Sequence, residues 1–351
     1  MRIQDSNQRI GVINALRAFA ALFVAWGHFV AGQGKYLSLS GKYGYLGVHI
    51  FFVISGFVIP WSLYRGKYVL RDYPRFLLKR CVRLYPPYLA SIVVTILATN
   101  FVLAPMFHLP ALTVTGRSLL LHFAYLNDLA GVPWFSVVYW TLAVEFQWYL
   151  LAGLMLPLLA SRSAAARFAG IAAMTALYFV VPQTQVVFHS VPIFLVGVFV
   201  FQYRARLIGL GEMLGLIAVM AFAMRGPIAG IVAGVSVATG LLIAFSTWEL
   251  RALNPLGDAS YSVYLLHLPI GVAVIGCLSH WLPYSGSYIG VLDVVGVVAS
   301  VLVASLVYRT IEKPSQDMSS AIRFAHHDRQ RPSRAPIATA TVEPVGVLSS
   351  E

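Results

Sequence analysis

Charge is scarce in this chain. Only 11% of its 351 residues are Asp, Glu, Lys or Arg, while 59% are hydrophobic, and the mean hydropathy is +0.77. Soluble domains carry about a quarter of their residues charged, so this composition excludes them and fits a multi-pass membrane protein. Acid is the scarcer sign: 13 acidic residues face 25 basic ones, for a net charge of +12. Cysteine is nearly missing. Cys81 lies in a basic stretch and Cys277 in an apolar one, which gives no disulfide framework. There is no Walker A sequence and no GxGxxG, and the histidines are scattered singly, so no metal site is indicated. No internal repeat of the transporter kind is visible.

Long apolar runs are what the chain has. Ten segments approach the length of about 20 residues needed to cross a bilayer. They lie near 12–32, 44–64, 85–105, 134–159, 168–182, 189–203, 207–224, 228–247, 261–282 and 288–310. The expected fold is therefore all-α: a polytopic membrane helix bundle of about ten transmembrane helices. The fifth and sixth segments are short, and Pro182 and Pro192 are expected to break that region. The first segment is too long for a signal peptide and no small-x-small site follows it, so it is expected to stay.

Lys and Arg orient the bundle. With the N-terminus in the cytoplasm and ten spans, twenty of the 25 basic residues fall inside, including the seven from Arg65 to Arg83. Outside lie Lys35, Lys42, Arg117 and Arg225. This bias places both termini in the cytoplasm of a multi-pass protein of the inner or plasma membrane. It also accounts for the net charge through the lipid bilayer, with no nucleic acid partner. The chain divides into a membrane domain, 1–318, and a Pro/Ala/Ser/Arg-rich tail, 319–351, expected to be disordered in the cytoplasm.

Ionisable residues inside apolar spans are costly and usually face a polar cavity. Arg17 and His28 share the first span, eleven positions apart. At 100° and 1.5 Å per residue they lie within roughly 20° of one helix face and about 16 Å apart. His49 and Ser55 fall in the second span, Glu145 in the fourth, His267 in the ninth and Asp293 in the tenth, with Glu312 just beyond. Glu145 needs a partner: an ion pair with Arg17 or a buried histidine, or a catalytic histidine that it orients. Ser260, Tyr264 and His267 share one face of the ninth span, where a packing histidine bonded to a hydroxyl is the simplest reading. Ser55-Gly56 reads as close helix packing. The loop Arg65–Tyr88 is the densest basic segment; Arg80 and Arg83, three apart, face the same way if helical. Such a cluster either anchors to lipid phosphates or holds a phosphorylated ligand.

These elements, taken in order, resemble the membrane acyltransferase-3 family, whose members O-acylate sugars, lipopolysaccharide, exopolysaccharide and some macrolides. The resemblance runs from Ile10 to Pro314. It rests on Arg17 and His28 as R-x10-H, Gly47–Phe57 as GxxxFFxxSGF, Arg80 and Arg83 as RxxR, and Trp140–Glu145 as W-[ST]-L-x-x-E. Ser260–His267 as SYxxYLxH and Glu312-x-Pro314 complete it. The resemblance implies an acyl-CoA co-substrate, with acetyl-CoA the expected form, and no metal. It implies His28 as the essential base and Arg17, Arg80, Arg83 and His267 at the donor site, with Glu145 as an orienting partner of the base. It implies transfer to a hydroxyl of a carbohydrate or glycolipid acceptor on the outer side, directly or through an acyl-His28 intermediate. Two other classes compete: a proton-coupled transporter or flippase, which intramembrane His, Arg and Glu would also suit, and a catalytically silent scaffold.

Overall fold

The computed structural model describes residues 11–30, 35–108, 110–181, 186–224, 226, 228–282 and 288–324. Among them every regular element is helical and no strand occurs. In chain order the α-helices are α1 (Gly11–Val30), α2 (Lys35–Gly41), α3 (Leu46–Arg65), α4 (Tyr73–Ala98) and α5 (Ala104–Phe107). Next come α6 (Gly116–Ala124), α7 (Tyr139–Leu159), α8 (Ala164–Val180), α9 (Val187–Arg204) and α10 (Leu210–Ala223). The last five are α11 (Ala229–Phe245), α12 (Asn254–Asp258), α13 (Ser260–Ser279), α14 (Tyr288–Val307) and α15 (Lys313–Ala321). Wider π-helical turns join α4 to α5 at Thr99–Leu103 and α14 to α15 at Tyr308–Glu312. Both unions are therefore long rods.

Seven helical rods are long and apolar enough to cross a membrane: Gly11–Val30, Ser38–Arg65, Leu70–Phe107, Tyr139–Leu159, Val187–Arg204, Ser260–Ser279 and Tyr288–Ala321. The helices α8, α10 and α11 fall on three further expected segments; they are apolar but shorter. Large apolar side chains point outward all round, with Phe222 94%, Val180 75% and Phe101 74% exposed. In water such faces would aggregate; against lipid tails they are the solvated surface.

Two local expectations change. Pro192 does not break the sixth segment: it lies inside α9, which runs unbroken from Val187 to Arg204. Neighbouring helices re-satisfy the freed carbonyl in a membrane bundle, so proline is tolerated there. Pro182 and the tail from residue 325 lie outside the described residues. The basic segment is mostly helix and not loop, because α4 starts at Tyr73 with Pro74 in its first turn. Proline has the backbone angle of a helix start and loses no bond there. Arg75, Lys79, Arg80 and Arg83 therefore stand on the first turns of α4.

The two most buried spans, α3 and α9, pack against each other. Lipid tails are as apolar as leucine, so helices in a bilayer associate through close packing rather than through the hydrophobic effect. Glycine supplies that closeness: a Cβ at Gly56 would lie 2.1 Å from the carbonyl oxygen of Phe194, and one at Gly197 would lie 2.2 Å from that of Val53. Beside this crossing Trp148 stacks on Phe194 at 4.4 Å and Phe52 stacks on it at 4.7 Å. Helix α1 packs on α3, α12, α13 and α14. Asn14 pins its start by donating to Asp258 Oδ1 at 3.2 Å. That anchorage sets which residues Arg17 and His28 face.

Candidate active site

Both ionisable residues of α1 meet α13. Arg17 Nε donates to Ser260 Oγ at 3.1 Å, and about three turns further along α1 and two along α13 the pair His28 Nδ1 and His267 Nε2 are 3.0 Å apart. The two imidazoles stack with centroids 5.1 Å apart. His267 is fully buried, and its Nδ1 lies 2.7 Å from the carbonyl oxygen of Tyr264. A carbonyl only accepts, so Nδ1 of His267 carries the proton. In the neutral pair His267 Nε2 then accepts from His28 Nδ1, and His28 keeps a free lone pair on Nε2. His28 itself is exposed to a cavity.

Two cavities flank this pair of helices. The first is lined by Arg17, Arg80 and Arg83 together with Glu145 and Glu312, over an apolar wall that includes Phe51, Phe52 and Ile59. None of its three guanidiniums is joined to a carboxylate in an ion pair among the described residues. Arg80 is 8% exposed and sits over the rings of Phe76 and Tyr149, 5.4 Å from each centroid, and its Nε has no hydrogen-bond partner among the described residues. Glu145 Oε1 accepts from Ser55 Oγ and from Tyr149 OH, both at 2.6 Å. Glu312, presented by the π-helical turn, accepts from Ser262 N at 3.1 Å and Ser262 Oγ at 2.6 Å. It thereby satisfies the first turn of α13, where a carboxylate is favoured by the helix dipole.

The second cavity, about 370 Å³, is lined by His28, Lys42, Tyr45 and Trp140 among others. Val48, Thr141 and Tyr264 line both cavities and so form the partition between them. Thr141 Oγ1 and Tyr264 OH lie 2.7 Å apart, a bond in which either hydroxyl can donate, and the Val138 carbonyl lies within reach of both, 2.8 Å from Thr141 Oγ1 and 3.4 Å from Tyr264 OH. The Tyr264 ring stands edge-on to Phe51 and 5.9 Å from His267. The partition is thus a closed hydrogen bond between two neutral hydroxyls, next to the histidine pair.

The structure brings Arg17, Arg80, Arg83 and Glu145 into one cavity. It places His28 in the other, with His267 behind it. The partner of His28 is His267 on α13 and not Glu145, which the neighbouring α3 and its own helix engage through Ser55 and Tyr149. Among the described residues the His267 ring bonds a second histidine and two backbone carbonyls, and no hydroxyl. Ser55 and the Thr141–Tyr264 bond carry parts of the site beyond the residues expected from sequence. Their signal was present in the ISGF and WTLAVE segments, but a hydroxyl on an apolar helix does not show what it faces. Among the described residues no group of three His, Cys, Asp or Glu could hold a metal ion, and Cys81 and Cys277 are free thiols.

Comparison with known proteins agrees with this arrangement of motifs. A family profile described as an acyltransferase domain, acyltransferase-3, matches residues 10–309. A protein of Acidianus two-tailed virus, described as "Putative acetyltransferase ORF330", is 34% identical over 138 residues, which are 39% of this chain and 38% of that protein. The matched region thus spans well under half of that relative's length. No solved structure matches significantly. The profile covers nearly all of the helical bundle, the residues of the partition and the lining of both cavities except Glu312, and the chain belongs to the acyltransferase-3 family.

Proposed function

We propose that this protein is a multi-pass O-acyltransferase that moves an acyl group, acetyl in the first instance, from acyl-CoA in the cytoplasm to a hydroxyl of a carbohydrate or glycolipid on the far side of the membrane. The observation that carries the reading is the pair of cavities meeting at one hydrogen-bonded partition, with three guanidiniums on one side and the free Nε2 of His28 on the other. Guanidiniums suit the phosphates of the donor. An imidazole lone pair suits removal of a proton from a hydroxyl.

In this reading Arg80 and Arg83 hold the donor's phosphates and Arg17 steers the acyl end toward the partition. The acceptor hydroxyl enters the histidine cavity and gives its proton to His28 Nε2. Its oxygen attacks the thioester carbonyl, the tetrahedral intermediate expels the coenzyme A thiolate, and the proton of the His28 imidazolium neutralises it. The new ester bond forms as the C–S bond breaks, and no redox partner is required. His267 keeps Nε2 of His28 available by accepting from Nδ1. Glu145 balances charge beside the arginines and fixes Ser55 and Tyr149. For the two substrates to meet, the Thr141–Tyr264 bond must open. The shorter α8, α10 and α11 complete ten passes with both ends in the cytoplasm, which sets the arginine cavity on the cytoplasmic side.

The test is mass spectrometry of surface glycans and glycolipids with and without the gene. An acyl-sized mass difference supports the reading. An unchanged acylation pattern, with instead a changed distribution of an unmodified lipid or sugar, would point to a carrier.

A further inference from the structure

Next to the arginine cavity lies a second cleft, and Arg80 lines both. Its walls are the end of α3, the first turns of α4, the end of α15 and the segment that follows it. The end of α15 and the segment after it are seated on α4: Ser319 Oγ of α15 donates to the Lys79 carbonyl at 2.9 Å, Lys79 Nζ donates to the Ile322 carbonyl at 3.4 Å, and Lys79 lies over the Phe324 ring. Gly66 lets that ring in, since a Cβ there would lie 2.8 Å from it. Among the described residues the cleft holds Lys79, Arg80 and Arg323 and no acidic residue. The acids carried by the adjoining segment are engaged elsewhere: Asp317 with Lys313 at 2.6 Å, and Glu312 with Ser262 and Gln316. Among the described residues three cations converge without a counter-charge, and one of them, Arg80, is over nine-tenths buried with an unpartnered Nε. Burying a guanidinium donor without an acceptor is costly unless a ligand supplies one.

We propose that this cleft binds the phosphorylated nucleotide end of the acyl donor, with Lys79 and Arg323 as its phosphate ligands. The proposal rests on the acyl-CoA reading above and extends it. Arg80 stands where the two compartments meet, so one extended molecule places its nucleotide phosphates in the cleft and its thioester in the arginine cavity. The segment after α15 then has a function: it carries Arg323 to the donor and closes the cleft from the cytoplasmic side. A phospholipid headgroup offers the same phosphate chemistry, so the experiment separates the two sources.

The measurement is equilibrium binding to the full-length protein in nanodiscs of neutral phosphatidylcholine. The probes are coenzyme A and 4′-phosphopantetheine, which lacks the nucleotide. Wild type is expected to bind coenzyme A at least about tenfold more tightly, the worth of one charge-assisted hydrogen bond. Arg323→Gln and Lys79→Gln are expected to remove most of that preference while leaving 4′-phosphopantetheine binding unchanged. Arg323 is the safer variant, because only its backbone carbonyl is used to seat the segment, by Arg75 at 3.4 Å. An intact preference in the Arg323 variant overturns the proposal. Equal weakening of both probes also overturns it, as loss of structure. So does a preference in wild type that disappears when phosphatidylglycerol replaces the neutral lipid, which assigns the cleft to headgroups. Wild type that binds neither probe overturns instead the acyl-CoA reading on which the proposal stands.

Discussion

Arg17 and His28 were legible as a pair because eleven residues is a whole number of helical turns to within a small angle. Their partners were not. Ser260 and His267 are seven positions apart on α13, and the reach of the arginine side chain makes up the difference in spacing. No rule of spacing within one helix announces a contact between two. The same limit hid Ser55, which reads as a packing residue beside Gly56 yet donates to Glu145 at 2.6 Å. Two outcomes follow at this scale. His267→Asn retains an oxygen that can accept from His28 Nδ1, while His267→Leu does not. The leucine variant is therefore expected to lose at least about ten times more kcat than the asparagine variant, a fraction of the full effect of a general base. Equal kcat in two well-folded variants would deny His267 a positioning role. Tyr264→Phe keeps the ring of the partition and removes its hydrogen bond to Thr141. Closure weakens by about 0.5–1.5 kcal/mol, so release of free coenzyme A without acceptor labelling should rise by roughly two- to tenfold. An unaltered ratio of release to labelling would mean that the bond does not close the passage.

Helices were recognisable where an apolar run approached the span length, and their ends were less so. The start of α4 shows why. Hydropathy marks only the apolar part from about residue 85, whereas the helix begins at Tyr73, where Pro74 provides a start signal and the residues are basic. That shift turns a basic loop into a helical ladder that points Arg80 and Arg83 into one cavity. The proline in α9 erred the other way, since its breaking effect is weaker inside a bundle. Crossing of α3 and α9 depends on two glycines, and this makes a prediction about stability. Gly197→Ala would push a methyl to 2.2 Å from the Val53 carbonyl, so the helices must separate. Overpacking of this kind costs about 1–3 kcal/mol. A thermal-shift assay in detergent should show the variant melting several degrees below wild type. Gly215→Ala, with nothing near its Cβ, should melt with wild type. Matching losses at both positions would remove the special role of the crossing.

At the scale of the whole molecule, the class of fold was plain from composition, because few charges and repeated apolar runs leave a helical membrane bundle as the stable solution. Passage number is harder, since seven rods meet the length needed for a bilayer and three shorter helices fall below it. Reporter fusions are expected to place Arg80 in the cytoplasm and Lys42 outside, as the Lys and Arg bias requires. A fusion at Arg80 that reports from outside would reverse the bundle and take the donor cavity away from acyl-CoA. The central claim is that an acyl group, and not the whole donor, crosses from coenzyme A to a hydroxyl under His28. It is tested most directly by incubating membranes that contain the protein with coenzyme A thioester labelled in the acetyl group or, separately, in the adenine. The account predicts that acetyl label becomes covalently fixed in the glycan or glycolipid fraction, that adenine label does not, and that His28→Gln lowers fixation by about 10²–10⁴-fold at normal protein level. Fixation at the wild-type rate by a well-folded His28→Gln protein, or no fixed acetyl label from wild type, would contradict it.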